Sequence, residues 1–431
     1  MTRGCPECVA AEQRGLSRRG LLKGTAGVGA LMALGTQTLG TRMAFADTAA
    51  YTGDVLVVLS LRGGFDGISA VVPAGDADYY ANRPTIAVPK DVLLPVDRFW
   101  GLHPALAPLQ DHWTAGTMGA VMAVGCPDPT RSHFEATAEM ERAAPGSTLR
   151  TGWLDRALGL RSLGTVFQAA QVGDSSPSQH FAGPFNELSL GRLDDFDLSA
   201  ANDDDPTYAA QESARWRNAL TALYKNAPVP IAAPARAALS ALDTVHQLKA
   251  NPYTPANGAT YDEESELAKA LRDVARLIKG NVGLQVAAVD FGDWDMHDGM
   301  GTAAAGWMHD HLTELAKALA AFAQDLGTAM GKVTVVTLSE FGRRLEENAS
   351  GGVDHGHGNQ MLLLGGGING GQVHGSWPGL AEDKLDDGDL AGTTDYRVVL
   401  GEILTKRCGQ TGLSTVFPGL PSGSLGVAKQ G

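Results

Sequence analysis

The chain has 431 residues, 34 Lys and Arg against 48 Asp and Glu, and a formal net charge of −14. Its 44% hydrophobic content supplies a core and excludes disorder as a description of the whole protein. The acidic balance, with no Lys/Arg cluster beyond the first 25 residues, excludes a nucleic-acid partner, which needs a concentrated basic face.

Ser17-Arg18-Arg19-Gly20-Leu21-Leu22-Lys23 places two adjacent arginines ahead of a leucine pair, the pattern of a twin-arginine export signal. A Gly/Ala-rich run from Gly24 to about Gly35 has the length of a signal-peptide core and is short of the ~20 residues a membrane helix needs. Ala44-Phe45-Ala46 before Asp47 reads as a cleavage site. The expectation is a signal peptide over 1–46, with the twin-arginine export machinery as partner. The mature chain, 47–431, is then periplasmic, cell-envelope or extracellular and does not span a membrane. Removing residues 1–46 takes away six positive and two negative charges and leaves a net charge of −18. Cys5 and Cys8 leave with the signal. Cys126 and Cys408 remain, and an oxidising compartment permits a disulfide between them.

In the mature chain, Asp54–Leu61 is an apolar run entering Arg62-Gly63-Gly64, the mark of a buried strand. His103–Thr114 has helical spacing, and Met118–Val124 is a strand. Ser132–Arg142, with Ser132 and Glu135, reads as a helix opened by a capping box. Gly283–Asp290 and Lys332–Leu338 are further strands. Between them lies a helix, Ala305–Leu326, with Leu312, Leu315, Leu319 and Phe322 on one face. Met361–Leu364 is a last strand and Thr393–Leu404 a closing helix. This alternation predicts an α/β fold, a mostly parallel sheet with helices on both faces. The stretch from about 188 to 281, which includes Asp203-Asp204-Asp205 and a regular helix at Glu264–Lys279, reads as a helical insertion.

Ligands of open α/β sheets bind at the carboxyl ends of the strands. Four polar clusters follow a strand directly: the turn containing Asp66, the segment Cys126–His133, the segment Asp290–Asp298, and Ser339–Arg344. A fifth, Asp354-His355-Gly356-His357-Gly358, precedes Met361–Leu364. Adjacent strands would gather their Asp, Glu and His side chains at one edge, and this mix of oxygen and imidazole ligands suits Zn, Mn, Mg or Ca. Asp66 is equally read as a turn cap. The two histidines of the fifth cluster, separated by glycine, favour metal or acid–base work. In the second cluster, Thr130 or Ser132 at a helix N-terminus can serve as a nucleophile beside His133, and Arg131 can grip an anion. The plain alternative for Ser132 is a helix N-cap.

The pieces LRGGFDG, HPALAPL, PTRSHFEA, DWDMH, TLSEFGRR, GGVDHGHGN and TTDYRVVL occur in order from about Val55 to Leu400. In them the chain resembles the exported bacterial domain-of-unknown-function family 1501, itself distantly similar to the alkaline phosphatase and sulfatase superfamily. That resemblance implies an alkaline phosphatase-like α/β core, two divalent metals and hydrolysis of phosphate or sulfate esters. It would make Asp66 the metal ligand after the first strand, Asp295 and His297 a metal pair, and Asp354-His355 or His357 the late ligand. Two departures stand out. Glu340-Phe341 replaces an Asp-His pair, and the position four residues before His133 is Pro129, which cannot be a nucleophile.

The resulting expectation is an exported hydrolase of an anionic small-molecule or polymer ester, holding one or two divalent ions. The metal candidates are Asp66, Asp295, His297, Glu340, Asp354, His355 and His357; the catalytic candidates are Ser132, Thr130, Arg131 and His133. The alternative is a non-catalytic envelope protein that keeps the fold.

Overall fold

The continuous apolar runs bounded by glycine-rich turns form the centre of a sheet. The computed structural model describes residues 51–160, 165–174, 178–185, 187–198 and 206–431. The signal segment 1–46, with Cys5 and Cys8, and Asp203-Asp204-Asp205 lie outside them. Among the described residues, no helix is long and apolar enough to cross a membrane.

The strands are β1 (Val55–Leu61), β2 (Val71–Val72), β3 (Leu94–Pro95), β4 (Gly101–Leu102), β5 (Met118–Gly125), β6 (Ala169–Val172), β7 (Leu188–Leu190), β8 (Val286–Phe291), β9 (Val333–Leu338), β10 (Asn359–Leu364), β11 (Val373–His374) and β12 (Thr394–Asp395). The α-helices of seven or more residues are α1 (His133–Arg142), α2 (Trp153–Gly159), α3 (Pro206–Tyr224), α4 (Val229–Lys249), α5 (Glu266–Lys279), α6 (Trp307–Leu326) and α7 (Tyr396–Lys406). Nine strands make one sheet in the order β11-β5-β10-β9-β1-β8-β6-β7, with β12 also paired to β5. β2, β4 and β3 form a small antiparallel sheet of their own.

In the large sheet every pairing is parallel except the two made by β10. β10 therefore begins at the edge where its neighbours end. The residues before β10 and the residues after β1, β5, β8 and β9 consequently share one edge.

β1 is buried along its whole length, as expected for a central strand flanked by β8 and β9. Its alternation sends Leu56 and Val58 to one face, where they pack with Met140 of α1, Trp153 and Leu154 of α2, and Val399 and Ile403 of α7. α5 lies against β8 and β6 and contributes nothing to that cluster, so it occupies the opposite face. The side chain of Ser265 caps α5 by accepting from the Ala268 amide at 3.0 Å. The anticipated stripe of α6 is buried, with Leu312, Leu315 and Phe322 at 0% and Leu319 at 2% exposure.

Two expectations change. β6 and β7 are strands, and α5 belongs to the sheet-bearing unit, so within 188–281 only Leu193–Asn251 is assigned to the other compact unit. There α3 packs on α4, and Asp197 accepts from Ser213 at 2.5 Å. The Ser132 side chain makes no capping bond; Glu135 instead accepts from Thr130. Cys126 and Cys408, whose pairing the sequence left open, are not joined by a disulfide.

Candidate metal centre

The loop after β8 turns sharply. Asp293 takes a left-handed φ of 63°, and the Met296 and His297 amides donate back to the carbonyls of Trp294 and Asp295 at 2.9 and 3.0 Å. Trp294, 1% exposed, anchors the turn edge-to-face against Phe65 and Phe291. Its amide donates to the carbonyl of Arg62, which ties it to the turn after β1. Gly63, with φ of 112°, sits so close that an added Cβ would lie 2.7 Å from the Asp295 nitrogen. A side chain there would push the two loops apart.

The loops after β9 and before β10 are joined as a short ladder. Gly342 donates to His357, Arg344 to Asp354 and Gly356 to Gly342, all at 2.9 Å. The Val353 amide then donates to Met296 and links this pair to the β8 loop. His133 arrives from the β5 side as the first residue of α1.

Three imidazoles now face one carboxylate. His355 Nε2 is 3.1 Å from Asp295 Oδ1, His297 Nε2 is 3.1 Å from the same oxygen, and His133 Nε2 is 3.4 Å from Asp295 Oδ2. Ligand atoms of His133, Asp295 and His355 all lie within 4.8 Å of one another. The other nitrogen of each ring is engaged. His133 Nδ1 meets Glu340 Oε1 at 2.8 Å, His297 Nδ1 meets Asp354 Oδ1 at 2.7 Å, and His355 Nδ1 meets the Arg131 carbonyl at 2.9 Å. A carbonyl or carboxylate only accepts, so each Nδ1 donates. In the neutral ring, each Nε2 then presents a lone pair toward the cluster. His297 Nε2 and His355 Nε2 stand 2.9 Å apart, and His133 Nε2 is buried without a hydrogen-bond partner. Lone pairs so placed call for a cation between them. Outer carboxylate and carbonyl partners on Nδ1 are the usual setting of metal-ligating histidine.

Burial alone would raise the Asp295 carboxyl. The hydrogen bond and the charge of Arg343 act against that and lower it. The bond with His297 lowers Asp354 below the ordinary carboxylate range. Asp295, Asp354 and Glu340 are balanced locally by one guanidinium, that of Arg343, and a divalent ion would offset the remaining negative charge. His133, Asp295 and His355, with His297 beside them, can therefore hold a metal ion.

Residues 112–402 match the family described as "Protein of unknown function (DUF1501)". The chain belongs to this family. No curated protein matches the sequence. Among solved structures, the chain is similar to an alkaline phosphatase from the Antarctic bacterium TAB5, at 10% identity over 73% of this chain and 92% of that one, with a TM-score of 0.29. A mutant of that enzyme with Mg bound is similar at 12% identity over 73% and 91%, with a TM-score of 0.26. The Zn complex of the C-terminal periplasmic domain of EcEptC from Escherichia coli is similar at 9% identity over 87% and 89%, with a TM-score of 0.32. At these scores the likeness is remote.

This DUF1501 chain departs from the expected ligand set at several positions. Asp66 is 3% exposed and paired with the fully buried Arg83, Nη1 to Oδ2 at 2.5 Å and Nη2 to Oδ1 at 3.0 Å. Arg83 also donates to Ser69 Oγ and to the carbonyls of Leu345 and Arg344. Asp66 is thus half of a buried ion pair and does not converge with His133, Asp295 and His355. Its partner lies seventeen residues on, where no sequence signal marked it. Glu340 orients His133 and also accepts from the Gly63 amide at 2.8 Å, so it is an outer partner of the cluster. Phe341, at the position of the missing imidazole, packs its ring 4.8 Å from His133 and 4.7 Å from His355. His357 is turned away to Asp386 and the Cys126 carbonyl.

The catalytic candidates fare similarly. Arg131 pairs with Asp387 at 3.1 Å and Asp389 at 2.5 Å, which compete with an anion for its guanidinium. The Thr130 hydroxyl donates to Glu135, and neither Thr130 nor Ser132 is hydrogen-bonded to an imidazole. Among the described residues, one group of metal-ligating side chains converges, which supports one ion.

The residue that reasoning from sequence passed over is Arg343. Its side chain is fully buried and donates to the carbonyls of Gly63, Gly64, Trp294 and Val353 and to Asp295 Oδ1 at 2.6 Å. Both buried arginines are open to test. Arg83→Met strands the Asp66 carboxylate and should lower stability by about 3–5 kcal/mol in denaturant unfolding, leaving bound metal per chain unchanged. Arg343→Met should lower both stability and metal content, since it frees Asp295 and the loops that carry it. Loss of metal in Arg83→Met would return Asp66 to the ligand set.

Proposed function

We propose that the mature chain is an exported, metal-dependent hydrolase of phosphate or sulfate esters, working with one divalent ion at His133, Asp295, His297 and His355. The observation that supports it is the shared orientation of three imidazoles, each held at Nδ1 with Nε2 turned to Asp295. A set of three imidazoles and one carboxylate suits Zn better than Mg or Ca, which prefer all-oxygen surroundings. The ester class rests on the resemblance carried by the sequence motifs, and export rests on the pattern at 17–46.

A divalent ion held here would supply Lewis acidity and lower the pKa of a water brought to it. The chain's part is to orient and screen. Glu340, Asp354 and the Arg131 carbonyl keep the rings in one tautomer. Phe341 covers one side of His133 and His355. The cluster stays partly open to solvent, with the Asp295 and His297 side chains each 44% exposed, which leaves room for a substrate oxygen. The amino end of α1 lies at the same edge, and its dipole favours an anion. Because neither the Thr130 nor the Ser132 hydroxyl is hydrogen-bonded to an imidazole, attack by water fits this arrangement better than a covalent intermediate on either hydroxyl.

The pairing of Arg131 with Asp387 and Asp389, and the lack of an imidazole bonded to Thr130 or Ser132, favour a second reading, an envelope protein in which the ion serves stability or ligand binding. One set of measurements separates them. Purified protein should carry about one divalent ion per chain. His355→Ala should lose it, and Glu340→Gln should weaken metal affinity or activity by about 10–100-fold. Activity toward p-nitrophenyl phosphate or sulfate that falls with metal content supports the hydrolase. Full metal occupancy with no turnover across an ester panel supports the second reading. No binding after reconstitution, or unchanged binding in His355→Ala, contradicts both.

A further inference from the structure

Helix α1 opens with His133, whose ring joins the cluster, and the next residue is Phe134. Phe134 is 90% exposed, and no other large apolar side chain among the described residues passes 47%. A phenyl ring left in water forgoes the gain of burial, yet single exposed apolar residues are common on protein surfaces. What sets Phe134 apart is its place.

The other directions around α1 are accounted for. Ala136 and Met140 are buried, and Met140 packs in the core with Leu56 and Val58 of β1. Glu135 turns to Thr130. Glu141, two turns after Phe134, lies on the same face of the helix as Phe134. Glu141 pairs with Arg62 after β1, and Arg62 pairs with Asp290 of β8 at 3.0 Å. This face therefore looks toward the carboxyl ends of β1 and β8. Phe134 stands about 10 Å nearer the amino end than Glu141, and its side chain leans further the same way, so the ring projects past the strand ends. The loop that continues from β8 carries Asp295, and His133 Nε2 meets Asp295 Oδ2 at 3.4 Å. The Asp295 and His297 side chains are open to solvent, so the Phe134 ring stands at the solvent side of the cluster.

We infer that Phe134 is a specificity-determining residue that receives the organic part of the substrate, and that this part is aromatic: an aryl phosphate or sulfate ester. The inference rests on the reading of the cluster as a centre for such esters and names their alcohol. The ion and the amino end of α1 suit the anionic group, which every ester of the class shares, so they do not discriminate among alcohols. An aryl group can lie against the exposed ring, offset or edge-to-face, and remove apolar surface of both from water. A methyl group offers far less area. The exposed carboxylates of Asp293 and Asp295 on the neighbouring loop disfavour a further negative charge on the alcohol.

The test is calorimetric titration of the full chain loaded with Zn, using two matched pairs of non-hydrolysable probes. They are phenylphosphonate with methylphosphonate, in buffer alkaline enough to ionise both fully, and benzenesulfonate with methanesulfonate. In at least one pair the aryl member should bind about tenfold more tightly than the methyl member. Phe134→Ala should bring that ratio close to one and Phe134→Tyr should keep it, with bound metal per chain unchanged in both variants. The inference is overturned if the native chain binds aryl and methyl members equally, or if the ratio survives in Phe134→Ala. If none of the probes binds the loaded chain, the ester reading and the inference fall together. An aryl preference that depends on Phe134, without turnover of any ester, overturns the hydrolase alone and leaves the role of Phe134 standing.

Discussion

The candidate centre depends on one buried guanidinium. Arg343 is fully buried and reaches the carbonyls of Gly63 and Gly64 after β1, of Trp294 after β8 and of Val353 before β10, with Asp295 as its counter-ion. A buried cation is tolerated only when its donors are matched, so the three loops are constrained to approach together. The planar fork of arginine can satisfy several acceptors in fixed directions, which a lysine ammonium cannot do. Once Asp295 is held by that fork, the positions of His297 and His355 follow from the short backbone bonds of their own loops.

The second constraint is strand direction. Four clusters lie after parallel strands and one lies before a strand, and they meet because β10 alone is reversed. The apolar runs, the buried stripe of α6 and the positions of the polar clusters were legible in the sequence because they depend on local periodicity and on glycine-bounded turns. The direction of β10 was not, since a short apolar run reads the same in a parallel or an antiparallel setting. β6 and β7, at four and three residues, were too short to give a periodic signal.

Partner choice was hidden for a related reason. In sequence Asp66 reads as a ligand because nothing marks Arg83 as its partner, and Arg131 reads as an anion clamp because Asp387 and Asp389, which pair with it, lie far along the chain. Sequence motifs pointed to the edge and to residues that the structure brings together: Asp295, His297, His355 and His133, the last as a catalytic candidate whose ring faces the common point. They did not separate the residues that face that point from those that hold the others in place, as Glu340 and Asp354 do. That distinction rests on which ring nitrogen is bonded, and it exists only in three dimensions.

Net charge gives the account its physical demand. A chain at −14, and at −18 without residues 1–46, repels anions at long range, and the carboxylates around the histidines add to that locally. A bound cation reverses the local field and balances the inward lone pairs together. The most direct measurement is X-ray absorption at the metal edge of protein reconstituted with Zn. Imidazole scattering from three histidines at about 2.0–2.1 Å, with oxygen completing the set and imidazole scattering reduced in His133→Ala, is the expected result. An all-oxygen or sulfur-containing environment, or a spectrum unchanged in His133→Ala, would contradict the assignment.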